Sequence, residues 1–242
     1  MNSPAETKFD YETADRRYCG LILNSASTNP RAAVILAPDW RGQSPLARDH
    51  ANHLVGLGCV TVIADLYGDG FSPDSPDQVG PMVKRLIDHR DQGVAALGAC
   101  VARLRQKVPA GTPILCLGFS AGGMVALDYG RSGADVAGII LCSALLKTAA
   151  AGMDARIRAP VLILQGTRDQ VSPMDTIAAV IAEMDNAGND VRFELFTQTH
   201  HAFDNPEAGG DPNARLVYSP RSARRARAAI AAFLAEVAEE RR

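Results

Sequence analysis

The chain has 242 residues, of which 47% are apolar and 21% are charged. This length suits one α/β domain, and the composition excludes a disordered or collagen-like protein. Its 25 basic and 27 acidic residues nearly cancel to a formal charge of −2, so we expect no nucleic acid partner.

Seven short apolar runs have strand character. Most are unbroken rather than alternating, which is typical of parallel strands that are covered on both faces. In chain order they are Cys19–Ser25, Ala32–Ala37, Cys59–Ala64, Ile114–Gly118, Val136–Cys142, Val161–Gln165 and Val191–Phe196.

Stretches of helical length separate these runs, and the last one is the clearest. Ala226, Ile230 and Phe233 begin an apolar stripe at helical spacing, and Ser219 followed by Pro220 is a plausible start for that helix. The segment from Gly68 to Gly80 is rich in Gly, Pro, Ser and Asp, so we expect a long loop there. Strand and helix alternate without a long linker or a repeat, which predicts a single, doubly wound α/β domain over residues 1–242.

The cysteines and the hydropathy of the chain indicate in which compartment the protein is found. The five cysteines are spread out and form no C-x-x-C pair, which predicts reduced thiols and no metal site. Residues 1–17 have no apolar signal-peptide core, and nowhere do about 18 apolar residues run together. We therefore expect a cytoplasmic protein with no membrane partner; the sequence does not distinguish a monomer from a homodimer.

The segment Gly118-Phe119-Ser120-Ala121-Gly122 matches the G-x-S-x-G nucleophile elbow. A strand-like run precedes it and a helix-like run follows it, which is the context that this motif needs. Small residues at both ends let chain segments cross closely around a serine that is forced to an unusual φ. We therefore predict Ser120 as a nucleophile, the alternative being an ordinary strand-to-helix turn.

A serine nucleophile needs a base to take its proton and an acid to orient that base. Asp169 follows the run that ends at Gln165, and His201 follows the run that ends at Phe196. The order Ser120, Asp169, His201 is the α/β-hydrolase order, and all three follow the carboxyl ends of predicted strands. His200 is an alternative base, and Asp169 has the alternative role of a helix cap ahead of Pro173.

The oxyanion formed on attack needs two preorganised donors. One is expected from the amide of Ala121, the residue after the nucleophile, and the other from the loop after an early strand, where Trp40 is the candidate. The alternative role for the Trp40 side chain is simple packing. Arg41 and Arg168 are candidates for holding an anionic group of a substrate.

With these motifs the sequence resembles the dienelactone hydrolases of the α/β-hydrolase superfamily. The resemblance lies in segments 20–23, 38–42, 64–68, 118–122, 166–169 and 201–203. It implies metal-independent hydrolysis of a small ester or lactone without a cofactor, and the roles given above for Ser120, Asp169, His201, Trp40 and Ala121. Asp39, Arg41, Tyr67 and Phe203 also lie in these segments, and we assign them to substrate binding. Because the segment 145–159, which lies between two predicted strands, has only 15 residues, no cap domain is expected.

Two departures from the family pattern bear on the substrate. The founding members use a cysteine nucleophile contacted by a glutamate, whereas this chain has Ser120 and Asp39. They bind the substrate carboxylate with two arginines, at positions held here by Asp69 and Asn205. The first change means that a thiol-based mechanism cannot be carried over to this chain, and the second argues against dienelactone itself as the substrate. The sequence thus predicts a serine hydrolase that forms an acyl-enzyme on Ser120, the alternatives being an acyltransferase with the same triad or a non-catalytic binding module.

Overall fold

The computed structural model describes residues 6–24, 26–73 and 75–240. Eight strands form one sheet in the order β1-β2-β4-β3-β5-β6-β7-β8. The strands are β1 Glu6–Glu12, β2 Arg17–Leu23, β3 Ala33–Ala37, β4 Val60–Ile63, β5 Ile114–Phe119, β6 Gly138–Ala144, β7 Val161–Gly166 and β8 Val191–Phe196. The six strands β3 to β8 run parallel to one another, and β1 and β2 add an antiparallel edge beside β4.

Helices cover both faces of the sheet. They are α1 Pro45–Gly56, α2 Pro76–Asp88, α3 Arg90–Arg105, α4 Ser120–Arg131, α5 Met174–Asn186 and α6 Pro220–Glu240. Buried side chains of α3, α4 and α5 pack on one face, and those of α1 and α6 pack on the other. The single-domain α/β fold expected from the sequence is confirmed.

Successive residues of the central strands point to opposite cores, which explains the unbroken apolar runs. In β3, Ile35 packs with the α3–α4 side, while Val34 and Leu36 pack with the α1–α6 side. All three are fully buried, and each contributes roughly 1.5–3 kcal/mol of hydrophobic stabilisation. A strand with two apolar faces shows no alternation in its sequence.

Three predicted boundaries were wrong or fall partly outside the described residues. The strand expected at Val136–Cys142 runs from Gly138 to Ala144, and β1 was not expected at all. The loop expected up to Gly80 becomes helical at Pro76. The expected strand end at Ser25 lies outside the described residues, as do residues 1–5.

The last helix begins as its sequence predicts. It starts at Pro220, and the Ser219 hydroxyl accepts a hydrogen bond from the Ser222 amide at 3.3 Å. Between β6 and β7, residues 145–160 contain no helix or strand, so no cap domain stands there. No helix within the described ranges is long and apolar enough to cross a membrane.

Candidate active site

Ser120 lies at the junction of β5 and α4, with a left-handed φ of 47°. The turn is so tight that a Cβ on Gly118 would lie 2.6 Å from the Gly122 carbonyl oxygen. A Cβ on Gly122 would lie 2.5 Å from the Ala37 carbonyl carbon, at the end of β3. Glycine is therefore needed at both ends of the motif, since contacts below 3.0 Å require the backbone to shift.

The three residues predicted as nucleophile, base and acid converge at the carboxyl edge of the sheet. His201 Nε2 is 3.0 Å from Ser120 Oγ, and His201 Nδ1 is 2.7 Å from Asp169 Oδ2. Both the imidazole and the carboxylate are buried. The neighbouring His200 has no hydrogen bond to Ser120 or Asp169, so the geometry selects His201 from the two candidates.

The Asp169 carboxylate is held by donors on both oxygens. Its Oδ1 accepts hydrogen bonds from the amides of Val171 (2.7 Å) and Ser172 (2.9 Å). Its Oδ2 accepts from Gln165 Nε2 at 2.6 Å as well as from the imidazole. Helix α5 begins only at Met174, so Asp169 does not cap it. The carboxylate instead organises the turn that presents it to His201.

Ser143 is a further neighbour of the imidazole that sequence reasoning missed. Its hydroxyl accepts a hydrogen bond from the Ala202 amide at 2.8 Å and lies 3.5 Å from His201 Nδ1. Ser143 and Ala202 both have left-handed backbone, with φ of 48° and 58°. Two strained residues joined by a hydrogen bond therefore fix the loop that carries the histidine.

Two backbone amides beside Ser120 are available to an oxyanion. The amide of Ala121 lies in the first turn of α4, where a helix has no internal acceptor for it. The Trp40 amide has no hydrogen-bond partner within the described part of the chain, and both residues line the same cavity. The close approach of Gly122 to Ala37 sets the distance between the loop of Trp40 and the elbow.

Tyr67 supports this loop from behind and does not line the cavity. Its hydroxyl donates to the Trp40 carbonyl oxygen at 2.9 Å, and the side chain is buried. Burial, followed by the nearby Asp39 carboxylate, raises the Tyr67 pKa well above its ordinary value, so the hydroxyl stays a donor. Direct substrate binding by Tyr67, as expected from the sequence, does not fit this placement.

Of the other residues assigned to substrate binding, some lie at the cavity and some do not. Asp39 lines the cavity, but its carboxylate accepts a two-pronged hydrogen bond from Arg41 at 2.7 and 3.1 Å. Arg41 also pairs with Glu207 at 2.9 Å. Phe203 is fully buried against Phe196 in the core beside α1 and α6. The role expected for Phe203 is therefore wrong, because its ring has no surface in the cavity.

A second histidine and aspartate stand behind the elbow. His50 Nε2 is 3.0 Å from Asp204 Oδ2, and both side chains are at most 10% exposed. The His50 ring stacks on Phe119, the residue before Ser120, with centroids 4.1 Å apart. The pair thus joins α1, the elbow and the loop of His201. This pair was not identified from the sequence.

The cavity in front of Ser120 has a volume of about 470 Å³. One wall is a face of α2 at helical spacing, and the opposite walls come from the loops after β6, β7 and β8. The apolar side chains that line it include Val79, Val83, Ile87, Leu145, Val171 and Leu216. The cations Lys84 and Arg215 also border it. Among the described residues, no three side chains of His, Cys, Asp or Glu are grouped as they would be around a metal ion.

Comparisons with known proteins agree with this architecture. The model of the dienelactone hydrolase family matches residues 20–238. The solved structure of a protein called m3DLH is 28% identical, with a TM-score of 0.89 over 98% of this chain and 99% of that one. A dienelactone hydrolase-like promiscuous phosphotriesterase, P91 from metagenomic libraries, is 24% identical, with the same TM-score and the same coverage.

More distant structures share the fold alone. Thermogutta terrifontis esterase 2 phosphorylated by paraoxon is 19% identical, with a TM-score of 0.65 over 98% of this chain and 95% of that one. The curated proteins contain no match to this sequence. Since the family model spans nearly the whole length and the fold agrees with it, the chain belongs to the dienelactone hydrolase family.

Proposed function

We propose that this protein is a serine hydrolase that cleaves small carboxylic esters or lactones through an acyl-enzyme on Ser120. The observation that carries the proposal is the pair of short contacts through one imidazole, 3.0 Å to Ser120 Oγ and 2.7 Å to Asp169 Oδ2. A serine hydroxyl is weakly nucleophilic at neutral pH unless a base accepts its proton.

The first half-reaction follows from this contact. Ser120 Oγ attacks the ester carbonyl carbon while its proton passes to His201 Nε2, and the imidazolium is stabilised by Asp169 through Nδ1. The carbonyl oxygen takes up the negative charge and accepts hydrogen bonds from the amides of Ala121 and Trp40. His201 then gives the proton to the departing alkoxide oxygen, and the carbon–oxygen bond breaks. In a lactone, that alcohol stays attached to the acyl group.

The second half-reaction reverses the proton path. Water attacks the acyl carbon and His201 Nε2 takes its proton, after which the Ser120–acyl bond breaks and the proton returns to Oγ. The base contributes about 10²–10⁴ in rate, and each oxyanion donor contributes about 10²–10³.

The apolar cavity supports a compact acyl group as the substrate. Its volume of about 470 Å³ lies within the range of small-molecule sites, and Val79, Val83 and Ile87 of α2 give it an aliphatic wall. Asp39 and Asp204 also border it, but each is paired, with Arg41 and His50 respectively. We expect esters of short and medium acyl chains and small lactones to be cleaved, with longer chains excluded by the α2 wall.

A fluorophosphonate probe followed by intact-mass measurement tests the nucleophile. We expect one adduct on the folded wild type and none on Ser120→Ala. Ser132→Ala is the matched control, because Ser132 lies at the far end of α4, and it should label normally. An adduct that persists in folded Ser120→Ala, or a wild type that never labels, would remove the serine mechanism.

Product analysis separates hydrolysis from acyl transfer. The protein is incubated with a p-nitrophenyl ester in the presence of a competing alcohol, and the free acid and the new ester are quantified. We expect the acid to dominate, since the cavity is open to water. A dominant new ester would instead identify an acyltransferase with the same triad.

A further inference from the structure

We propose that the open edge of β8 is a docking surface for a second copy of this chain. In this arrangement the two β8 strands pair antiparallel around a two-fold axis at Phe193, and the two sheets become continuous. The proposal is independent of the chemistry at Ser120.

The backbone of β8 offers the groups that such pairing needs. On its inner side β8 pairs with β7, and the carbonyls of Asp190 and Phe196 accept from the amides of Val161 and Thr167. In a parallel ladder every second residue faces the neighbouring strand. The N–H and C=O groups of Val191, Phe193 and Leu195 therefore point away from β7, and β8 is the last strand of the sheet.

The sequence of β8 is self-complementary in this register. A two-fold axis at Phe193 sets Val191 opposite Leu195 of the partner subunit, and Arg192 opposite Glu194 of the partner subunit. The three outward-facing residues form hydrogen-bonded pairs, giving roughly six backbone hydrogen bonds, and the charged residues fall at the closer, non-hydrogen-bonded pairs. Both charged side chains are at least 36% exposed. Within its own chain Arg192 lies 3.6 Å from Glu194 and 3.4 Å from Glu236, so pairing across the axis exchanges these exposed contacts for contacts with the partner subunit.

Exposed apolar residues are concentrated at this end of the sheet. The described residues include four large exposed hydrophobics, Phe71, Met174, Ile181 and Leu195. Leu195 belongs to β8, and Met174 and Ile181 belong to α5, the helix that leads into β8. An open edge strand offers unpaired backbone groups to another chain, and the two charges on β8, Arg192 and Glu194, are of opposite sign, so they match each other across the two-fold axis.

The opposite edge of the sheet is less suitable. Pairing two copies of β1 around Phe9 would set Glu6 against Glu12 of the partner subunit, and like charges directly opposite are destabilising. We therefore assign the contact to β8.

A pair of complementary charge reversals tests the register. In Arg192→Glu, glutamates face glutamates across the axis, and in Glu194→Arg, arginines face arginines. Sedimentation velocity of the full-length wild type should show a species of twice the chain mass, and each variant alone should dissociate at least about tenfold more readily. Mixing the two variants should restore the dimer, because every facing pair is then of opposite charge.

The control is Lys8→Glu on β1, which should dimerise as the wild type does. Recovery of the dimer on mixing also shows that both variants are folded. A wild type that stays monomeric at high micromolar concentration, single variants that remain dimers, a mixture that stays dissociated, or a dimer lost in Lys8→Glu would each overturn the assignment to β8.

Discussion

Replacing Gly122 by alanine should disturb the oxyanion site without touching the triad. The new Cβ would lie 2.5 Å from the Ala37 carbonyl carbon and closer still to the carbonyl oxygens of Ala37 and Pro38. Since real Cβ contacts stay above 3.0 Å, the loop that carries Trp40 must move away from the elbow by at least 0.5 Å, the difference between the two distances.

This displacement acts on the donor distance to the oxyanion. Misplacement by about 1 Å costs about 10²-fold in rate, and loss of one oxyanion donor costs about 10²–10³. For a shift of half that size or somewhat more, we expect kcat to fall by about tenfold to a hundredfold. The KM should change less, because the aliphatic cavity walls on α2 are untouched.

The assay is the steady-state hydrolysis of a short p-nitrophenyl ester, with the melting temperature measured in parallel. Gly56→Ala is the matched control, because a Cβ there meets nothing within 4 Å and alanine favours a helix. It should keep kcat and the same or a slightly higher melting temperature. A Gly122→Ala protein with wild-type kcat and stability would refute the inference that this close approach sets the position of Trp40.

Three further predictions use other parts of the structure. Asp169→Asn keeps an oxygen for the Val171 and Ser172 amides but favours the wrong imidazole tautomer, so kcat should fall by about 10⁴ with little change in the melting temperature. Burial raises the pKa of Cys116 to about 12 and that of Cys59 to about 11; both thiols should resist iodoacetamide at neutral pH and react only after unfolding, as mass spectrometry can count. Burial, then the charges of Arg227 and His50, lowers the pKa of His53, whose Nε2 is buried without a partner among the described residues. Its neutral form therefore stabilises the fold above the ordinary histidine pKa, and this stability is lost as the pH falls from that value through the lower pKa of the folded state. His53→Gln should flatten the fall in melting temperature over this range.

The central sheet was predictable because burial on both faces leaves a direct mark on the sequence. Runs such as Val161–Gln165 are typical of strands that are covered on both faces, and their order along the chain predicts that Ser120, Asp169 and His201 lie at one edge of the sheet. β1 left no such mark, because only Phe9 and Tyr11 of its residues are buried. Its antiparallel pairing with β2 depends on tertiary contacts that local composition does not record.

The start of α2 was missed although its signal was present. Ser75 followed by Pro76 repeats the pattern that correctly located the start of α6 at Ser219 and Pro220. The Gly, Pro, Ser and Asp residues of the segment Gly68–Gly80 favoured a loop, and packing of the apolar face of α2 against the core outweighed them. Local propensity is a weak guide when tertiary burial decides the outcome.

Contacts between distant segments are the part of the site that could not be read from the sequence. His50 and Asp204 are 154 residues apart. Ser143 lies at the end of β6, and it approaches His201, which follows β8. Neither pair belongs to a motif with fixed spacing, so only the assembled sheet reveals them. The burial of Phe203 was hidden for the same reason, because adjacency to His201 does not say which way a ring points.

In this protein, the residues proposed for catalysis and the residues that shape the cavity along α2 belong to different elements of the fold. The residues proposed for catalysis lie in turns at strand ends, whereas Val79, Val83 and Ile87 on one helical stripe line the cavity proposed for the acyl chain. Mutational drift along that stripe can retune which molecules are accepted while the reactive centre is inherited intact. Single substitutions among the aliphatic residues of this stripe can therefore change substrate preference while the proposed catalytic residues stay in place.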